Sequence, residues 1–200
     1  MKTSKFLTVA TSLALAGASF AFITGQQEEP GMEKPPMDEM PMMEKPTDQH
    51  KALLEGVGDY VGVMKFMAPG APVQELPCTE TVEAFGEFWV QSEFKCAFAP
   101  GFDYIGRGTF GHDPVTGEAV GTWVDSTSSH MSIMRGKADQ ATKTTTMDFT
   151  MPVPEMGGKV LDHRMVSTRD DAGGYTMTMH QRQEGADFVP VWMCEMKPKK

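Results

Sequence analysis

The chain has 200 residues, with 18 Lys and Arg against 27 Asp and Glu and a formal net charge of −9. That balance argues against nucleic-acid binding, which needs clustered cations to displace counterions. No Gly-x-Ser-x-Gly, His-Glu-x-x-His, Cys-x-x-Cys or phosphate-cradling glycine loop occurs, so the common hydrolase, metalloprotease, redox and nucleotide signatures are missing. No cofactor and no metal site is expected.

Residues 1–21 read as a signal peptide. Lys2 and Lys5 precede an apolar run from Phe6 to Ala16, and Ser19-Phe20-Ala21 has the small, any, small pattern of a signal-peptidase site. The run is too short, and too rich in Ala, Ser and Gly, to span about 30 Å of hydrocarbon, and no Cys follows it directly for lipid attachment. The expectation is export to the periplasm or beyond, trimming after Ala21, and no membrane-crossing segment in the mature chain.

Residues 22–49 turn to Pro, Glu, Met and Lys with no helical or strand period, the pattern of a disordered, acidic linker. Seven carboxylates from Glu28 to Asp48, set against Lys34 and Lys45, leave about −5 in this segment. Met32, Met37, Met40, Met42 and Met43 crowd together, and clustered thioethers suit Cu(I). The interleaved carboxylates, with no His or Cys beside them, favour a plain linker.

Residues 50–200 suffice for one domain. A short amphipathic turn, His50–Glu55, is expected to set Leu53 and Leu54 against one end of the core. Strands are then expected near 59–67, 75–84, 88–97, 103–111, 118–125, 130–138, 143–151, 159–168, 175–182 and 187–196, separated by Gly, Pro and Asp turn signals. Successive strands with short connections and no intervening helices imply an antiparallel sheet that closes to remove its edges. The expected fold class is therefore all-β: a single antiparallel up-and-down barrel of about ten strands.

Turn arithmetic fixes two registers provisionally. If Ala84 faces Val90 across the Phe85–Trp89 turn, Cys78 faces Cys96 at disulfide range and Cys194 stays unpaired; three buried thiols are the alternative. Pairing Arg169 with Gly174 puts His163 opposite His180, adjacent imidazoles of a kind that ligate zinc or copper or face a haem. A one-residue slip would part them, and His180 shares its face with Thr176, Thr178 and Arg182, which reads as solvent-facing.

The fullest local signal is Gly106–Ser126. Asp113 accepts backbone N–H bonds, Pro114 presets φ and Gly117 tolerates a positive φ, so Asp113–Gly117 closes a type I turn with a bulge. Beyond it, Ala119, Gly121, Trp123 and Asp125 share one face while Val120, Thr122 and Val124 share the other. The run Gly111-His112-Asp113-Pro114, followed by Gly121-Thr122-Trp123-Val124-Asp125-Ser126, resembles the signature of the bacterial family catalogued as domain of unknown function 1579. The likeness extends over roughly residues 50–200, taking in His50, Leu53 and Gly58, then Thr79-Glu80-Thr81-Val82, with Tyr60 where the family usually carries Trp. What the resemblance implies is a lipocalin-like or calycin-like barrel with no established activity.

If the barrel encloses a cavity, Trp123 and Asp125 would supply an aromatic wall and an orienting carboxylate. Glu80 opposite Phe94, Arg164 beside Val166, and Met177 are further candidates for ligand contact. The alternative for Trp123 is a plug whose N–H bonds a neighbour, and for Asp125 a cap on the Ser126–Ser129 turn. Met64, Met131, Met134, Met165, Met177, Met179 and Met193 would make adaptable walls or ordinary core filler. No catalytic residue is assigned, since Asp125-Ser126 with a remote His is mere availability. The expected function is binding of a small apolar or amphipathic ligand. A filled barrel serving a structural or partner-binding role in the envelope, and an enzyme using a cavity carboxylate, remain open here. The sequence carries no signal for oligomeric state.

Overall fold

The computed structural model describes residues 44–67 and 73–200. The expected signal peptide, the methionine cluster and linker residues 22–43 lie outside the described residues. Helix α1 (Asp48–Leu54) is followed by ten strands among the described residues: β1 (Gly58–Phe66), β2 (Gln74–Phe85), β3 (Trp89–Ala99), β4 (Phe102–Asp113), β5 (Glu118–Asp125), β6 (Ser132–Asp139), β7 (Thr144–Val153), β8 (Lys159–Arg169), β9 (Tyr175–Arg182) and β10 (Val189–Pro198). Each strand pairs antiparallel with its neighbours in sequence, and β10 pairs with β1, so the sheet is a closed up-and-down barrel. The strand limits match those expected to within two residues. No helix among the described residues is long and apolar enough to cross a membrane.

Closure turns the period-two alternation into inside and outside. Along β1, Tyr60 and Met64 are buried while Asp59 and Val61 are exposed; along β3, Val90, Ser92, Phe94 and Cys96 are buried and Gln91, Lys95 and Ala97 are exposed. The interior packs in two groups. One gathers Tyr60, Met64, Leu76, Phe94, Tyr175 and Met196, and the other Ala119, Met134, Met147, Phe149 and Met179. Outward charges pair across strands, as Arg135 does with Glu118 at 3.1 Å, but such solvated pairs contribute at most about 1 kcal/mol each.

The β2–β3 register is the one the turn implies. Ala84 faces Val90, and Cys78 faces Cys96 with their Cα atoms 4.2 Å apart and their sulfurs joined. Buried Cys194 is free.

The β8–β9 register differs from the His163–His180 pairing. Arg169 faces Tyr175, so His163 lies opposite Gln181 and His180 opposite Arg164. The reason is the Asp170–Gly174 loop. Its Asp170 carboxylate accepts from the amides of Ala172 and Gly174, each at 2.8 Å, and the Asp170 amide bonds the Gly174 carbonyl at 3.0 Å. That wider loop slips the register by one, which sends one imidazole inward and the other outward.

Helix α1 starts at Asp48, two residues ahead of the expected turn, and its buried residue is His50 rather than Leu53 or Leu54, which are half-buried. The Thr47 amide donates to His50 Nδ1 at 3.0 Å, so Nδ1 is the acceptor nitrogen and Nε2 carries the proton donated to the His112 carbonyl at 2.9 Å. One side chain thus caps its own helix and ties it to β4.

The β4–β5 hairpin explains its own glycines. Asp113 Oδ1 accepts from the Val115 amide at 2.9 Å, the Gly117 amide bonds the Asp113 carbonyl at 2.8 Å, and Gly117 sits at φ +71°. The Val115 amide, with help from Thr116, holds the Asp113 carboxyl below the usual carboxylate range. Behind the turn, the Trp123 ring lies against Gly106 and Gly108, where an added Cβ would come within 2.1 and 2.6 Å of it. Only a bare backbone lets the indole lie on the neighbouring strand.

Two measurements test these assignments. Gly106→Ala should destabilise the barrel by about 1–3 kcal/mol in urea unfolding, and the loss should shrink in a Trp123→Leu background because the clash is pairwise. Burial lowers the pKa of His163, with the Leu161 carbonyl opposing. The folded state therefore favours neutral imidazole, and stability falls as pH drops below about 6.5, where the unfolded chain takes up a proton that the fold resists, levelling off below the folded pKa. His163→Asn should flatten the wild-type fall in thermal midpoint between about pH 7 and about pH 5.

Candidate functional site

The barrel interior is not filled. A cavity of about 720 Å³ runs through it, lined by residues from all ten strands and by α1. Part of the wall is large and apolar: Phe66, Phe94, Phe98, Phe110, Trp123 and Trp192. Another part is methionine: Met64, Met134, Met147, Met151, Met165, Met177 and Met179. The space exists because small residues occupy many inward positions on β3 and β5 to β8, namely Ser92, Ala119, Ser132, Ala138, Thr145 and Ser167. Towards α1, the lining includes Lys51, Glu55, Gln140, Lys143 and Arg169. The Arg169 guanidinium donates to the Glu55 carbonyl, just past the C-terminal end of α1, at 3.4 Å.

Five of the six expected contact residues, Glu80, Phe94, Trp123, Asp125 and Met177, line this cavity. Arg164 does not. It alternates with inward His163 and Met165 on β8, so it points outward, where its Nε and Nη2 bond the two oxygens of Asp148 at 2.7 and 2.8 Å. Its guanidinium stands 4.4 Å from the Phe188 ring. The apolar face of β8 is the one carrying Leu161, His163 and Met165. Met131 and Met193 also fall outside the cavity lining, and Met131 is exposed.

Trp123 and Asp125 combine both roles considered for them. The Trp123 indole N–H donates to the Tyr104 hydroxyl at 3.0 Å, and the ring still forms part of the wall. Burial pushes the Tyr104 hydroxyl up to about 12, so it stays protonated. Asp125 Oδ1 accepts from the Thr127 amide at 2.8 Å and hydroxyl at 2.6 Å, which makes it chiefly a turn cap at the cavity edge.

The main polar feature of the wall centres on Glu80. Its Oε1 accepts from the Ser92 hydroxyl at 2.5 Å, and its Oε2 accepts from the Tyr175 hydroxyl. Tyr60 and Phe94 are its cross-strand neighbours on either side. The Tyr60 and Tyr175 rings meet edge to face at 5.4 Å. Burial, reinforced by the neighbouring Glu80 carboxylate, raises the Tyr175 pKa strongly, so the phenol remains a donor. Nearby Cys194 is pushed up to about 12 by burial and by Glu80, which leaves it a thiol and a poor nucleophile. Among the described residues, no group of three or more His, Cys, Asp and Glu is placed to hold a metal ion.

Sequence reasoning missed Tyr175 and Ser92 as partners of Glu80. Ser92 was within reach of the β2–β3 turn arithmetic, since it faces Val82, the next inward residue after Glu80. Tyr175 was not: β9 reaches β2 only by way of β10 and β1, and no turn links them.

Comparison with solved structures gives a fold likeness to Rv2717c from M. tuberculosis, at a TM-score of 0.57 and 12% sequence identity, covering 78% of this chain and 100% of that one. At that identity the likeness speaks for the barrel alone. No curated protein matches the chain. The family model described as "Protein of unknown function (DUF1579)" matches residues 45–197, and the chain belongs to that family.

Proposed function

We propose that this barrel carries a small apolar or amphipathic molecule in its interior, outside the cytoplasm, without converting it. The observation that carries the reading is the cavity of about 720 Å³ with methionine and aromatic walls. That volume lies within the roughly 300–1,000 Å³ typical of small-molecule sites. A barrel serving only as a structural module has no need of so large an interior space, since buried voids lose dispersion contacts and are destabilising. Methionine suits an interior that must fit a guest, being unbranched and polarizable. Export is supported by the Lys2–Ala21 sequence pattern and by the Cys78–Cys96 pair, since disulfides persist in oxidising compartments.

Two experiments test the two halves. Titration with the neutral fluorophore N-phenyl-1-naphthylamine should give saturable enhancement, and Ser167→Phe, which fills the cavity from β8, should weaken it about tenfold while leaving the circular dichroism of the fold intact. Absence of saturable enhancement in the wild-type chain would overturn the cavity reading. For export, protein recovered from the producing cell's envelope should begin at Phe22 and show one thiol, Cys194, alkylated only after denaturation. An intact Met1 and three alkylatable thiols would overturn it.

A further inference from the structure

We infer that the cavity selects an amphipathic amine, a ligand with an apolar body and a protonated nitrogen seated on Glu80; this rests on the ligand-carrying role above and names its chemistry. Both oxygens of Glu80 already accept a hydroxyl hydrogen bond, from Ser92 and Tyr175. A carboxylate is acceptor-only and has about four acceptor sites. About two of those sites stay unused, in a side chain that lines the cavity.

The charge itself has no counter-ion in the fold. None of the ion pairs among the described residues includes Glu80. The cations lining the cavity are engaged elsewhere: Lys51 with Asp48 at 2.8 Å, Lys143 with Asp171 at 2.7 Å, and Arg169 with the Glu55 carbonyl. A carboxylate withdrawn from bulk water without a cation is costly, and the Ser92 and Tyr175 hydroxyls would serve a neutral amide equally well. The charge therefore has its use toward the cavity.

The surroundings fit the same guest. Phe94 flanks Glu80 on the adjacent strand and Tyr175 reaches it from β9, and both line the cavity, so two aromatic rings border one acceptor. Ring faces attract a cation as well as an apolar chain. An anionic guest would meet Glu80 as a like charge, and a neutral alcohol would leave it unneutralised. An ammonium donates to the open acceptor sites and cancels the charge, a charge-assisted bond of the stronger kind.

Displacement of N-phenyl-1-naphthylamine by decylamine, decan-1-ol and decanoate separates the possibilities, since the three share one alkyl chain. Decylamine should bind about tenfold more tightly than decan-1-ol, with decanoate weakest, and Glu80→Gln should bring the amine-to-alcohol ratio towards one. Decan-1-ol binding as tightly as decylamine would overturn the amine assignment while leaving the apolar cavity standing, and so would a ratio unmoved by Glu80→Gln. Failure of all three to displace the fluorophore, or failure of the fluorophore to bind at all, would overturn the cavity reading and the amine assignment together.

Discussion

The pairing of β1 with β10 is the interaction on which the rest of the molecule depends. Without it, two long strands would present rows of unpaired amides and carbonyls, and the inward faces of Tyr60, Met64 and Met196 would open to water. With it, every strand has one inward face and one outward face, and the interior becomes a closed account of side-chain volume. That account does not balance on all sides. Aromatic and aliphatic residues crowd the region of β1 to β4, whereas serine, alanine and threonine recur at inward positions of β5 to β8. The cavity is the space those small side chains leave.

Packing inside so strongly curved a sheet also explains the β4–β5 signature. An indole lying along a neighbouring strand needs that strand bare, and Gly106 and Gly108 supply the space beneath Trp123. Tyr104, two residues before Gly106 on the same inward face, then accepts the hydrogen bond of the indole N–H. Glycines, tyrosine and tryptophan form one steric unit. The turn at Asp113–Gly117 serves that unit by setting the register that brings Gly108 opposite Trp123. The β4–β5 hairpin is thus an architectural device whose inward face also forms part of the cavity wall.

Legibility in the sequence followed the range of the interactions. Strands declared themselves because alternation and turn residues are local, and the β2–β3 register followed from a short turn. The β8–β9 register did not, because Asp170 closes a wider loop through amide bonds whose formation depends on its carboxylate geometry. Arg164 was misplaced for a related reason. Its face carries Val166 as well as charge, and its partners Asp148 and Phe188, neither of them local, confirm that it is the outer one. His50 was overlooked as the anchor of α1 because its distant partner is a backbone carbonyl 62 residues away, which leaves no mark on composition or periodicity. Glu80 was identified as an acid on an apolar face, but its two hydroxyl partners come from different strands that meet only in the closed barrel.

On the proposed role, Glu80 would also link stability to occupancy. Two hydroxyl donors hold the Glu80 side chain in the midst of the aromatic packing that closes β1 onto its neighbours. The proposed amine would bring its positive charge to the place where β1, β2, β3 and β9 contribute side chains to one cluster. Because such a guest would bind the folded barrel and not the unfolded chain, its affinity would add directly to the stability of the closed sheet. On that proposal, one side chain would both recognise the guest and stabilise the occupied barrel, so recognition and closure would act through one cluster.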